Sequence, residues 1–212
     1  MTQRNAQSAT KRRTQDERIE ETRERLLVAA VKILSDRGYA NFRIAEVSAV
    51  SGVSRGGMIH HYPSKDALIA DVFEYVFQRV VRRAEAKRSS VKNVASGLSA
   101  IVDCGSELFF GPDFPIYLDL VLAARRGGPL PKTARALIRR QSLSLEDFWT
   151  SSLVSHGVDA RTARSAVGMI FGLMRGLAVK AIGTVEPNDR EPILKFALAA
   201  AKLHIESMQT SA

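Results

Sequence analysis

The sequence predicts an all-α protein. Its apolar positions recur three and four residues apart, and the breaks between these runs carry glycine, proline or capping residues of the kind found at helix ends. No stretch alternates apolar and polar residues between hairpin turns, so strands are not expected. With 212 residues, 45% of them hydrophobic, the chain can bury a real core and form one or two domains.

A polar, basic leader (1–14) comes first, holding Lys11, Arg12 and Arg13, and no apolar run follows it, which argues against a secretory signal. Ile19, Thr22, Leu26, Ala30 and Ile33 mark one face of a first helix that Gly38 ends with a left-handed cap residue. A short second helix carries Ile44, Val47 and Ser48 and breaks at Ser51-Gly52. A third runs from Ser54 to about Tyr62, stopped by Pro63. Ser64 is placed to cap a fourth, with Asp66 in its first turn and Leu68, Val72, Tyr75, Val76 and Arg79 along it. Five more helices follow: 91–110 up to Gly111-Pro112, 114–126 up to Gly127-Gly128-Pro129, 132–156 up to Gly157, 159–183 before Pro187, and 191–207. The most apolar stretch, 163–182, carries Arg164, Arg175 and Lys180 and reads as a buried helix, not a membrane span.

Residues 43–62 spell two short helices joined by a tight turn at Gly52, the plan of a helix-turn-helix. Val53 pins the turn to the core, and Ser54 caps the second helix where a DNA phosphate would approach. At about 100° per residue, placing Met58 and Tyr62 inward puts Gly56, Gly57 and His60 outward. Ile59 and His61 flank that outer side, and Arg55 lies near its start. Adjacent glycines cost a helix roughly 1 kcal/mol each, so either the backbone approaches a groove closely here or the first turn is loosely wound. His60 and His61 diverge around the helix and cannot share one metal, so no metal site is expected and a phosphate contact is. A net charge of +9 suits a polyanionic partner.

The run GYANFRIAEVSAVSGVSRGGMIHHYPSKDALI resembles the DNA-binding domain of the TetR family of bacterial regulators. The resemblance is specific over residues 17–75 and implies the family's nine-helix plan. It implies a helix-turn-helix domain over 15–63 and a ligand-binding and dimerisation domain over 64–212. It also implies that Ser54, Arg55, Gly57, Ile59 and His60 face double-stranded DNA, and that Arg43 and Lys65 meet phosphates at the starts of the second and fourth helices. The chain departs from the family at three positions. Arg43 stands where Ser or Thr is usual, which passes the capping role to Asn41; Gly57 replaces a common Thr; and Ile59 replaces a common Tyr, with a thymine methyl as its expected contact.

Helix-turn-helix readers work as dimers on pseudo-palindromes with half-sites about 34 Å apart. The dimer surface is expected on the last two helices, through Ala163, Val167, Ile170, Met174 and Leu177 and through Ile193, Phe196, Ala200 and Leu203; the alternative is that these rows only complete an internal core. Gly168, Gly172 and Gly176 would permit close helix approach. An inducer cavity is expected in the middle helices among Ile101, Leu108, Phe109, Tyr117, Leu120, Phe148, Trp149 and Met174, against the alternative of a filled core. Coupling between ligand and DNA is expected through the fourth helix.

The function expected is that of a cytoplasmic homodimeric repressor released by a small-molecule inducer, without cofactor or membrane. The alternatives are an activator or a low-specificity DNA binder. Cys104, the single cysteine, suits a reducing compartment. An enzyme is not expected, because the sequence carries no nucleophile–base pair, metal cluster, phosphate loop or cofactor fingerprint, and hence no catalytic residue.

Overall fold

In the computed structural model, residues 14–125, 132–183 and 190–210 are described, and they form nine helices with no strand among them. These are α1 (Gln15–Arg37), α2 (Ile44–Ser51), α3 (Arg55–His61), α4 (Lys65–Arg88), α5 (Val94–Phe109), α6 (Phe114–Arg125), α7 (Lys132–Val154), α8 (Ala160–Gly183) and α9 (Arg190–Thr210). The leader residues Lys11, Arg12 and Arg13, the Gly127-Gly128-Pro129 stop and Pro187 lie outside the described residues.

Local chemistry accounts for most helix ends. Thr14 and Glu17 form a reciprocal capping box at the start of α1, and Ser54, Ser64 and Asn93 each accept an amide proton three residues on. Gly52 ends α2 at φ +67°, ψ 17°, the left-handed conformation that glycine adopts without a Cβ clash. Gly38 also has positive φ, but its ψ of 170° makes the exit from α1 extended and not the left-handed cap expected. Asn41 does not cap α2: its Nδ2 donates to the Arg37 carbonyl, and Arg43 holds the N-cap position without a side-chain bond.

Two apolar cores share the chain. The amino-terminal core joins Leu26, Leu27, Ala30, Ile33 and Leu34 of α1 with Val47, Met58 and Tyr62, and with Leu68, Ile69, Val72 and Phe73 of α4. Ile116 and Leu120 of α6 belong to it as well, so this core does not stop at residue 63. The second core surrounds Trp149, Leu153, Leu98 and Ile101 and takes in α8, α9 and Phe114. Cys104 is buried within it, and burial pushes its thiol pKa up.

The α8 row corrects the expected dimer surface. Ala163, Val167, Ile170 and Met174 are each 0% exposed inside a single chain. Met174 presses so closely on Gly105 of α5 that a Cβ there would lie 2.6 Å from its Sδ. Helical periodicity identified an apolar face, and the chain's own α5, α7 and α9 occupy it. The surface left open on α8 is a different one, formed by Gly168, Met169, Gly172, Gly176, Val179 and Ile182. Leu177, Ile193 and Ala200 are half-buried, while Phe196 and Leu203 of α9 are 74% and 66% exposed. The stretch Ala160–Ile182 is long and apolar enough to cross a membrane, but its inner row is core.

Candidate DNA-binding and ligand sites

Helix α3 is seven residues long and buries only Met58, with Tyr62 buried just past its end. Ser54, Arg55, Gly56, Ile59 and His60 are exposed on its outer side, Ile59 at 51%, while Gly57 and His61 are half-buried. The two glycines are not equivalent. A Cβ on Gly56 would meet nothing within 4 Å, whereas one on Gly57 would lie 3.2 Å from Val53 Cγ1 and 3.3 Å from Ser54 Oγ. Gly57 therefore preserves the Ser54 cap, in which Oγ accepts the Gly57 amide at 3.1 Å.

Directed polar bonds hold this short helix. Arg23 of α1 donates twice to Asp71 of α4, from Nε at 2.9 Å and Nη2 at 2.8 Å, and the Tyr62 hydroxyl donates to the same carboxylate at 2.5 Å. Burial disfavours the Asp71 charge, but the bonds from Arg23 and Tyr62 outweigh it and hold the carboxyl below its ordinary range. Burial and the Asp71 bond together push the Tyr62 phenol well above its ordinary value. Arg25 caps α2 through the Ser51 carbonyl at 2.7 Å, and Arg37 pairs with Glu46 at 2.7 Å. This triad of Arg23, Tyr62 and Asp71, which ties the end of α3 to α1 and α4, was not anticipated from the sequence, because its members lie 48 and 9 residues apart and no local pattern connects them.

Lys65 is placed differently from the expectation of a phosphate contact. Its Nζ donates to the carbonyls of Phe42 (3.1 Å) and Tyr39 (3.4 Å) and lies 4.3 Å from the Tyr39 ring centre. Half-buried, its ammonium is drawn below the ordinary lysine range by desolvation, and two of its three donors serve the turn before α2. Arg43 is exposed.

A second site lies between α4, α5, α6, α7 and α8. It is a cavity of about 50 Å³ lined by Val72, Phe73, Val76, Phe77 and Val80, by Leu108, Phe109, Ile116, Tyr117 and Leu120, and by Leu145, Phe171, Asp113 and Arg175. Of the residues expected there, Leu108, Phe109, Tyr117 and Leu120 line it and four do not. Ile101, Trp149 and Met174 are consumed in the carboxyl-terminal core, each 0% exposed, and Phe148 turns to Arg88, whose guanidinium lies 5.0 Å from its ring centre. The α4 wall was missed, although Phe73, Val76, Phe77 and Val80 repeat at helical spacing and carried the signal. The cavity touches the DNA-binding end through α6: Ile116 and Leu120 line it, and Asp119 between them accepts the Tyr39 amide from the turn after α1.

No group of three or more His, Cys, Asp or Glu side chains suited to a metal ion is placed together among the described residues. The family model "Bacterial regulatory proteins, tetR family" matches residues 26–72. The HTH-type transcriptional regulator CymR of Pseudomonas putida is 35% identical over 192 residues, covering 91% of this chain and 95% of its own. SCO4454, a TetR-family transcriptional regulator from Streptomyces coelicolor, shares the fold at a TM-score of 0.66 and 19% identity, over 89% of this chain and 96% of that one. A Saccharomonospora viridis protein solved in complex with choline aligns at a TM-score of 0.67 and 18% identity, over 88% and 96% of the two chains.

Proposed function

Because the chain belongs to the TetR family of DNA-binding transcriptional regulators, we propose that it is a homodimeric repressor of a pseudo-palindromic operator, released by a small organic inducer. The observation that carries this reading is the position of α6, which walls the cavity with Ile116 and Leu120 and holds the turn before α2 through Asp119. A ligand that widens the cavity moves α6, and Asp119 transmits the shift to the helix-turn-helix. Coupling therefore runs through α6 as well as α4, whose Val72 and Phe73 belong to both the cavity wall and the amino-terminal core. A dimer geometry that departs from one-turn spacing then releases the operator.

On DNA, Ser54, Arg55, His60 and the Gly57 backbone face the groove, with His61 and Arg43 toward phosphates and Ile59 toward a thymine methyl. Lys65 acts mainly by fixing the turn that presents α2. The twin docks on the open face of α8 and on Phe196 and Leu203 of α9, whose exposed apolar area suits a second copy. The choline held by the Saccharomonospora viridis protein supports a small organic inducer here. The site of action is the cytoplasm, where the DNA is, and the reading leaves no role for catalysis.

Selection of sites from random duplex DNA, followed by a salt titration on the selected duplex, tests this. The expected result is an inverted repeat with half-sites about one helical turn apart. Binding without a preferred sequence, fading smoothly with salt, would instead favour a nonspecific DNA binder.

A further inference from the structure

We propose that the cavity selects a one-ring aromatic compound of zero net charge, whose anionic group meets Arg175 and whose ammonium group meets Asp113. This rests on the reading of that cavity as the inducer site and goes on to name what it binds. A volume of about 50 Å³ holds a few waters, so the cavity must widen to admit even a single ring, and a fused system would demand far more opening. The wall is apolar and rich in aromatic rings, so the body of the ligand is an arene.

Two charges interrupt that wall, one of each sign. Asp113 lies 3.8 Å from Arg79, and Arg175 lies 3.4 Å from Glu146; among the described residues these are the only ion pairs either makes. Both contacts are long and single. A carboxylate accepts at about four lone-pair sites and a guanidinium offers five N–H donors, so each retains most of its capacity for a ligand. The Arg175 guanidinium also lies 5.5 Å from the centre of the Phe109 ring, which holds it against the aromatic wall. A lone anion entering here meets the like charge of Asp113, and a lone cation meets that of Arg175. Solvent screens the repulsion at Arg175, 44% exposed, more than that at Asp113, 17% exposed, so a lone anion is the more strongly disfavoured of the two. A ligand carrying both signs cancels both.

Isothermal titration of the full chain with 4-(aminomethyl)benzoate, benzoate, benzylamine and toluene tests the idea. The zwitterion is expected to bind at least about tenfold more tightly than the other three, the effect of one charge-assisted hydrogen bond. Arg175→Gln is expected to bring it down to the level of benzylamine, and Asp113→Asn to the level of benzoate, with both variants still binding the selected duplex. Comparable binding of benzoate or benzylamine, zwitterion binding indifferent to both substitutions, or no zwitterion binding overturns the proposal. Release of the duplex is read separately. A zwitterion that binds through both charges without freeing DNA upholds this inference and defeats ligand release; benzoate alone freeing DNA does the reverse.

Discussion

Around the recognition helix, packing elements are cross-linked by short directed bonds: Arg23 and Tyr62 to Asp71 at 2.5–2.9 Å, Arg25 to Ser51 at 2.7 Å and Arg37 to Glu46 at 2.7 Å. The carboxyl-terminal half is held by apolar packing around Trp149, and the ion pairs between its helices are longer: Lys87–Glu107 at 3.0 Å, Arg164–Asp147 at 3.2 Å and Arg175–Glu146 at 3.4 Å. The difference follows from size. A seven-residue helix with one buried side chain has too little apolar area to fix its orientation, so directional bonds must do it. The larger half has area to spare and can leave a cavity.

The sharpest way to break this contrast is to empty the packed half. Trp149→Ala removes a fully buried indole and is expected to cost about 3–5 kcal/mol, lowering the melting temperature of the whole chain. A loss below about 1 kcal/mol would show that packing does not dominate there. At the other end, Asp71→Asn is expected to cost about 1–3 kcal/mol and to weaken operator binding more than dimerisation. Its pH dependence follows from the depressed Asp71 pKa. The stabilisation is present above the unfolded carboxyl's ordinary range and is lost as pH falls through the lower folded value. The gap between wild type and variant in urea titrations should therefore stay constant from pH 7 to 5 and close only in stronger acid. A gap that closed near neutrality would point to another group.

Asp119→Ala probes the joint between the regions. Loss of the acceptor for the Tyr39 amide is worth about 1 kcal/mol, so an inducer's effect on operator affinity should shrink about fivefold while ligand affinity holds. Unchanged coupling would return the path to α4 alone. The smallest effect expected is from Ile59→Ala, which should relax base preference at one step by about 1 kcal/mol, measured by competition between duplexes differing at that pair. Uniform weakening across sequences would place Ile59 on the backbone instead.

Much of the fold was legible because its determinants are local. Gly52, Ser54, Ser64 and the spacing of Met58 and Tyr62 set turn, caps and inner face within a few residues of each other. The cavity was legible only in part. Leu108, Phe109, Tyr117 and Leu120 line it, but Ile101 and Trp149, equally apolar, are spent on the core.

By itself the sequence determined the all-α class, the nine helices and the outward side of α3, because helical periodicity and capping depend on neighbours along the chain. Only the tertiary structure decided what each face meets: that Ala163, Val167, Ile170 and Met174 turn inward, that Lys65 serves the turn before α2, and that Arg23, Tyr62 and Asp71 converge. Periodicity states that a face is apolar or a side chain charged, and the partner is chosen by elements far away in sequence.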